Sequence, residues 1–422
     1  MKLSFKHLFA VAAVAGALSA HAAGFAILEQ SPRAMGRALA GITADITDPN
    51  AQYFNPSAIA WFDHRELSVG CHWLKLTAQY KDTGSYDKYG VLGREEGNSV
   101  GGWSRIPNVY YAQPIADNLV FGMSLSATSG TKTEHNRYWV GRYTALLTDI
   151  AVVDVAPSLA YRINDDLSFG VGLVMEYASA MMDRALFNGF GQADGKLKMR
   201  GDSIAFGYTI GMTYRITPQT TIGLGYRSRM RHDLDMKIRT HNSEGARGTA
   251  STKLHLPSSI NFGVMHQVND RWKVAFDLCY SMQSYMHDLR VKYDQDTKLG
   301  LKTKTRGSED RTRLGWRNTF RVSIGQEYKL TDRLTLKNGF AFDQTPVPNH
   351  YRNTQLPDTD RYWVSFGFAY KFNDNWTVDC AYTHIFFDSV SLKQESGELG
   401  TVKGKFSSCA TDTVSVSANY SF

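Results

Sequence analysis

Residues 411–422 read TDTVSVSANYSF, and their periodicity decides the fold. Apolar or aromatic residues alternate with hydroxyl and amide residues from Val414 to Phe422. Successive side chains of a β-strand point to opposite faces of the sheet, so this segment predicts a strand with one apolar face and one polar face. Such a strand suits a wall that separates lipid from a polar lumen.

The same alternation recurs on both sides of six short polar clusters. Each cluster has the Asn, Asp, Thr and Pro content of a tight turn. The clusters are residues 115–118, 163–166, 216–219, 268–271, 330–333 and 372–375. Longer polar stretches, such as 292–313 and 393–405, lie between them. Short turns that alternate with long loops are typical of a bacterial outer-membrane barrel, with turns in the periplasm and loops outside the cell.

The strands can be counted from these turns. Six turns join twelve strands, one further run (66–80) precedes them, and another (406–422) follows. The sum of fourteen is even, as expected for a closed single-chain barrel. We therefore predict an all-β membrane barrel of 14 antiparallel strands over residues 66–422. A soluble β-sandwich shows similar alternation but does not need this number of strands together with an export signal.

Composition and motifs exclude several other classes of protein. The chain has no run of about 18 uninterrupted apolar residues, so it is not a helical membrane protein. Its net charge of +7 comes from scattered Lys and Arg residues, which gives no basis for a nucleic-acid partner. Neither G-x-S-x-G nor H-E-x-x-H occurs. We predict no enzyme activity, no metal site and no cofactor.

The four cysteines are predicted to be free thiols. None belongs to a C-x-x-C motif. Strand alternation places Cys71 and Cys380 on the lipid face, and Cys279 and Cys409 on the lumen face. The first and last strands of a closed barrel are neighbours, but their cysteines are expected on opposite faces.

The first residues have the features of an export signal. Lys2 and Lys6 precede an apolar run at 8–18, and Ala20-His21-Ala22 has the small-x-small pattern of a cleavage site. We predict a signal peptide over residues 1–22 and a location in the outer membrane of a Gram-negative cell.

Residues 23–65 do not alternate and are predicted to form a partly helical hatch. Ser31-Pro32 and Asp48-Pro49 each join a capping residue to a proline at the first helical position, and Asn55-Pro56 starts another short helix. A lumen of about 14 strands is too wide to be filled by its own side chains, so we place this segment inside it. A periplasmic tail is the alternative.

Several landmarks in order resemble a known family, the FadL-type outer-membrane transporters of long-chain fatty acids and aromatic hydrocarbons. The landmarks are AGF (23–25), GRA (36–38), NPS (55–57), YRS (226–228), DQTPVP (343–348) and LPDTDR (356–361). Ser57 departs from the family's Asn-Pro-Ala motif. The loops after Arg184 and Asp235 are short for the family, so the outer capture site is expected to be reduced or moved to the loops around residues 138–139 and 81–102.

The resemblance implies passive uptake of a hydrophobic molecule. The ligand enters through the extracellular loops, binds a lumenal pocket and leaves sideways beside a kinked third strand. Gly24 and Phe25 would contribute to the pocket, and Asn55 and Pro56 would belong to the gate. Thr128, Ser129 and Gly130 end the third predicted strand, where the kink and lateral opening are expected; a simple strand end is the alternative.

Candidate ligands for a fatty acid carboxylate are arginines. Arg184 is the first choice because alternation points it inward and the family places a pocket arginine there; an ion pair with Glu176, Asp183 or Asp277 is the alternative. Arg227, Arg229 and Arg231 are predicted to form an inward ladder that guides the anion or holds the hatch. Arg311 and Arg313 lie close to a second basic position of the family.

The predicted function is therefore uptake of hydrophobic compounds, and the predicted ligand is a long-chain fatty acid. The alternatives are an aromatic or alkane hydrocarbon channel of the same fold, a water-filled general porin, and a surface adhesin. The predicted partners are the hydrophobic ligand and the outer-membrane lipid and lipopolysaccharide around a monomer.

Overall fold

A computed structural model describes residues 26–87, 92, 101–243, 247–355, 358–395 and 399–422. Within them, no helix is long and apolar enough to cross a membrane. The signal-peptide prediction falls outside the described residues.

Fourteen antiparallel strands form one closed sheet. Five of them are interrupted and have two segments. The strands are β1 (Glu66–Asp82), β2 (Trp103–Ala116), β3 (Leu119–Glu134), β4 (Leu147–Arg162), β5 (Leu167–Leu186), β6 (Gly195–Thr217), β7 (Thr220–Arg227 and Met230–His241), β8 (Arg247–Leu256 and Ser258–Gln267), β9 (Trp272–Met282 and Asp288–Tyr293), β10 (Glu309–Arg313 and Thr319–Lys329), β11 (Leu334–Asp343), β12 (Arg361–Lys371), β13 (Trp376–Phe387 and Val390–Glu395) and β14 (Gly400–Ser421).

Pairing of the first and last strands closes the barrel. Glu66 of β1 lies opposite Ser421 of β14, and the ladder continues to Asp82 opposite Gly404. The short strand Tyr86–Asp87 continues this ladder opposite residues 400–401 of β14. The other edge of β1 pairs with β2. Short pieces outside the wall are the strands Thr297–Leu299 and Lys302–Lys304 and the 3₁₀ helix Asn349–Tyr351. The predicted strand number is confirmed.

Alternation along β9 and β14 separates lipid from lumen as predicted. On β14, Thr413 is fully buried, whereas its neighbour Val414 is 44% exposed. On β9, Asp277 and Cys279 are buried, whereas Tyr280 is exposed. All four cysteines are free.

The hatch lies inside the barrel, as predicted. It contains the short helix α1 (Pro32–Met35) and three 3₁₀ helices (Ile42–Ala44, Pro49–Tyr53 and Pro56–Trp61). Ser31, Asp48 and Asn55 each accept a hydrogen bond from a backbone N–H at a helix start, so these capping predictions are confirmed.

Glycines of the wall allow the hatch backbone to approach closely. A Cβ atom at Gly223 would collide with the carbonyl oxygen of Thr43, and one at Gly225 with that of Phe54. Asn55, beside this contact, donates from Nδ2 to Thr213 Oγ1 on β6 at 2.9 Å. The Asn-Pro-Ser motif is thus where the hatch is fixed to β6 and β7.

Buried ion pairs hold the opposite side of the hatch. Arg37 is fully buried and pairs with Asp45 of the hatch at 2.5 Å and with Glu327 of β10. Burial raises the pKa of the Asp45 carboxyl, but the charges of Arg37 and Arg33 outweigh it and hold this pKa well below its ordinary value. Arg33 also reaches Asp379 of β13, with 3.2 Å between Nε and Oδ2. Most of these charges are therefore compensated within the lumen.

Candidate functional site

An inner cavity lies directly above the hatch and contains about 760 Å³ of space between atoms, part of it open to solvent. The hatch, the bulge of β3 and the inner faces of β5, β7–β11 surround it. Its lining residues are Ala26, Leu28, Tyr53, Phe54, Thr128, Ser129, Glu176, Arg227, Met230, Leu256, Pro257, Ser259, Asn261, Cys279, Ser281, Gln283, Thr319, Phe320, Arg321 and Asp343.

Arg227 is the one sequence-predicted arginine that lines the inner cavity. It is buried, it pairs with Asp154 of β4, and its Nη2 lies 3.6 Å from Glu176 Oε2. The guanidinium also lies 4.7 Å from the ring centre of Tyr53 in the hatch. Because two carboxylates and an aromatic ring surround it, Arg227 joins the wall to the hatch and is largely compensated in charge.

Arg321 is a second buried cation of the cavity that the sequence analysis missed. Its Nη2 lies 3.3 Å from Asp277 Oδ1, and its Nε has no hydrogen-bond partner in the described structure. Gln283 Oε1, also in the lining, is likewise buried without a partner. An unpaired guanidinium N–H can donate a hydrogen bond to an anionic or polar ligand oxygen. Alternation along residues 319–329 would have pointed Arg321 inward.

An outer cavity of about 590 Å³ lies on the loop side of the inner one and is mostly apolar. Its lining residues are Thr148, Ile150, Ala180, Met182, Leu234, Met236, Thr252, Leu254, Met286, Leu289, Leu314, Trp316, Asn353 and Gln355. On β8, Leu254 lines the outer cavity and Leu256, two residues along the same face, lines the inner one. The two cavities are therefore neighbours along β8, and the inner one differs in having buried charged side chains such as Arg227 and Arg321 in its lining.

The wall is interrupted beside the inner cavity. The β2–β3 ladder ends at Asn108 opposite Ser126, and residues 103–107 of β2 pair with β1 alone among the described strands. On its other side, β3 has a bulge at Thr128, where the register with β4 shifts by one residue. A bulge bends a strand and ends regular pairing.

The hatch pairs with this bulge. Ile27 donates its backbone N–H to the carbonyl oxygen of Thr128 at 2.9 Å, and Ala26 forms an isolated bridge with Ser129. Thr128 Oγ1 donates to Glu176 Oε2 at 3.0 Å. The predicted residues Thr128 and Ser129 thus join the hatch, the cavity and the gap, whereas Gly130 pairs with Ala151 of β4 and lines neither cavity.

The other predicted arginines lie away from both cavities. Arg184 is at the rim, part-exposed, and its Nη2 lies 3.7 Å from Asp310 Oδ2, so its carboxylate partner is not among those expected. Arg311 is exposed and pairs with Asp288 at 2.8 Å. Arg313 lies over the Tyr351 ring, 5.1 Å from its centre.

The prediction of an inward ladder is wrong for Arg229 and Arg231. Both side chains are exposed, and Met230 and His232 are buried instead. The reason is the break in β7 after Arg227, where Ser228 N–H donates to the carbonyl oxygen of Tyr208 and the register with β6 shifts. Such an irregularity exchanges the inward and outward faces of the strand beyond it.

The remaining gate predictions concern the hatch. Gly24 and Phe25 lie outside the described residues. Asn55 and Pro56 fix the hatch to the wall, as described above.

The comparisons with known proteins agree with this architecture. A family model described as "Outer membrane protein transport protein (OMPP1/FadL/TodX)" matches residues 13–422. The chain belongs to this family. It is therefore an outer-membrane transport protein for hydrophobic compounds and not an enzyme, which confirms the location, transport class and absence of enzyme activity expected from the sequence.

Individual relatives cover almost the whole chain. A long-chain fatty acid transport protein of Escherichia coli O6:H1 is 27% identical over 94% of this chain and 95% of its own. The crystal structure of a Pseudomonas aeruginosa FadL homologue superposes with a TM-score of 0.85 at 25% identity, covering 95% of this chain and all of that one. The Ralstonia pickettii toluene transporter TbuX shares the fold, with a TM-score of 0.69, 16% identity, and coverage of 94% and 100%.

Proposed function

We propose that this FadL-family protein takes up long-chain fatty acids passively through its two cavities. The observation that carries the proposal is the unpaired Nε of Arg321, a residue of the inner cavity, next to the apolar outer cavity. A fatty acid needs an apolar slot for its chain and a charged donor for its carboxylate. The E. coli relative, a long-chain fatty acid transport protein, supports the same ligand class.

The path runs from the loops to the gap in the wall. The chain enters the outer cavity beside Met236 and Trp316, and the carboxylate reaches Arg321 in the inner cavity. The ligand then leaves sideways between β2 and β3, where the ladder is interrupted. Displacement of Ala26 and Ile27 from the β3 bulge would widen this exit. No step needs an energy source.

Substitution of Arg321 tests the ligand assignment. We expect Arg321→Gln to weaken oleate binding and thereby to reduce oleate uptake at least tenfold, because a hydrogen bond to a charged group contributes about 1.5–3 kcal/mol. The measurement is radiolabelled oleate uptake in a deletion strain that carries each variant. Arg313→Gln, an exposed arginine at the rim, is the matched control. The double variant Arg321→Gln/Asp277→Asn removes both charges of the buried pair, so no uncompensated carboxylate remains to destabilise the barrel. Full oleate uptake by both Arg321 variants would reject the assignment.

Deletion of Thr128 tests the lateral exit. Without this residue, Ser129 would follow Ala127 directly and β3 would pair with β4 without a bulge. We expect a folded barrel that binds oleate but takes it up poorly. Deletion of Ser408, which lies in the bulge of β14 where the register with β1 shifts, is the control and should leave uptake unchanged. Normal uptake after deletion of Thr128 would exclude this exit.

A neutral aromatic or alkane hydrocarbon is the second candidate ligand. The charges of the inner cavity favour it, because Arg227 faces Asp154 and Glu176, and Arg321 faces Asp277. A neutral ligand would leave these pairs undisturbed. Toluene uptake should then be insensitive to Arg321→Gln. Wild-type cells that take up toluene but no oleate would favour the hydrocarbon, whereas the opposite result would favour the fatty acid.

A further inference from the structure

The outward face of the wall carries cross-strand rows of cations near the loops. In one row, Lys198 of β6 lies opposite Arg239 of β7, which lies opposite Arg247 of β8. In the next row, Arg200 lies opposite Lys237. This group of five side chains is called the cationic surface below.

Like charges directly opposite each other in a sheet are destabilising. Among the described residues, no ion pair involves Lys198, Lys237, Arg239 or Arg247, whereas Arg200 pairs with Asp183 at 2.5 Å. Asp183 of β5 also lies opposite Lys198, and Asp202 and Asp235 lie opposite each other in the row that follows Arg200 and Lys237. The described part of this surface therefore has an excess of positive charge that an external anion would relieve.

The cationic surface continues the lipid-facing band of the same strands. On β6 the outward positions run from Tyr208 and Phe206 through Ile204 to Asp202 and Arg200. Phe206 is 74% exposed, as a lipid-facing side chain would be in the absence of lipid. At about 3.3 Å per residue and a tilt of about 40°, Arg200 lies roughly 10 Å beyond Ile204 along the membrane normal. That is the level of the headgroups beyond the hydrocarbon.

The opposite face of the same strands belongs to the lumen. Leu197 and Met199, between the cations of β6, are buried in the apolar cluster that includes the outer cavity. The cationic side chains therefore point away from the transport path and toward the surrounding lipid. An anion in the outer leaflet, rather than the transported molecule, is the partner that this position fits.

We propose that the cationic surface binds the phosphate groups of lipid A, the phosphorylated glycolipid that anchors lipopolysaccharide in the outer leaflet. Arg and Lys are the side chains that bind phosphate, Arg through its planar pair of donors and Lys as a point charge. The phosphates would lie between the rows and separate the opposed cations, while the acyl chains pack against the apolar band below. This site is independent of the proposed substrate and of the two cavities.

Lipid binding to the purified, folded barrel tests the proposal. The probes are lipid A with both phosphates and the same lipid after enzymatic removal of its phosphates, each measured by native mass spectrometry in a non-ionic detergent. We expect the wild-type protein to bind the phosphorylated lipid at least tenfold more tightly. Lys198→Gln/Lys237→Gln/Arg239→Gln should abolish this preference, and Arg239→Gln alone should reduce it.

The matched control removes three cations from the periplasmic rim, in Lys329→Gln/Arg333→Gln/Lys371→Gln, and should keep the preference. Heat-modified mobility on gels confirms that each variant is a folded barrel. Equal binding of both lipids by the wild-type protein, or an unchanged preference in the triple variant, would overturn the proposal. Competition by inorganic phosphate as effective as by phosphorylated lipid A would also overturn it, because the site would then recognise a free anion.

Discussion

The two halves of the barrel have opposite interiors. In the periplasmic half of β7 the inward residues are Thr221, Gly223 and Gly225, and the polar backbone of the hatch lies against both glycines. In the extracellular half Met230, Leu234 and Met236 line the cavities, and the buried His232 between them contacts Glu176. One half is fitted to a fixed segment of this chain, and the other leaves room for a ligand.

Irregularities in the wall lie where the two interiors meet. The bulge of β3 at Thr128 and the break of β7 after Arg227 both occur at the level of the inner cavity, as does Pro257 of β8. Each disturbs the ladder and re-aims the side chains beyond it. A uniform barrel would continue the same inward face from end to end, so the irregular strands are what give the extracellular half its apolar lining.

The largest effect of a single substitution is expected at Gly225, where the hatch backbone lies against the wall. Gly225→Leu would force a side chain into the carbonyl group of Phe54 and prevent the hatch from seating. We expect an open lumen, seen as ion conductance in planar bilayers that the wild-type protein lacks. Gly102→Ala is the control, because a Cβ there meets nothing within 4 Å. A Gly225→Leu barrel with no added conductance would show that close packing does not hold the hatch.

A somewhat smaller effect is expected from the buried ion pairs of the hatch. Arg37→Met would leave Asp45 and Glu327 without their guanidinium, and loss of one partner from a buried pair costs about 3–5 kcal/mol. Hydrogen exchange of the hatch amides measures the free energy of its release. Lys371→Gln, which breaks an exposed pair with Asp374, should leave exchange unchanged. Equal exchange in Arg37→Met and the wild-type protein would contradict the role of these charges.

The stability of the docked hatch is expected to depend on pH through Glu29. Burial raises the pKa of this carboxyl to about 7, against the smaller opposite effect of its backbone hydrogen bonds and of Arg361. Because the pKa of Glu29 is higher in the docked hatch than in the released hatch, the docked hatch stays protonated up to a higher pH. The free energy that holds the hatch in the lumen therefore falls as pH rises from about 4.5 to 7. Across this pH range the docked hatch loses about 3 kcal/mol of stability relative to the released hatch.

Glu29→Gln should remove most of this pH dependence, again measured by exchange of the hatch amides between pH 4.5 and 8. Asp63→Asn, at an exposed position beyond the hatch helices, is the control and should retain the wild-type slope. A wild-type hatch whose exchange is independent of pH, after correction for the intrinsic rate, would contradict the buried carboxyl.

The fold could be predicted from sequence because alternation and turn composition are local signals. They placed Asp277, Cys279 and Arg227 on the lumen side and counted the strands. The face changes in β7 could not be predicted, because a bulge adds one residue without requiring a particular residue type. Pairs such as Arg37 with Glu327 join segments 290 residues apart, and only the assembled barrel brings them together.

The smallest effect is expected at Arg229, which tests where the two halves divide. If the face of β7 changes after Arg227, Arg229 points to lipid and lies over the ring of Tyr285, 4.4 Å from its centre. Arg229→Gln should then change stability by less than about 1 kcal/mol and leave oleate uptake as in the wild-type protein. Met230→Gln, one residue further, should reduce uptake because it places an amide in the cavity lining. The reverse ranking of these two neighbours would mean that the ladder continues inward and that the halves do not divide at this break.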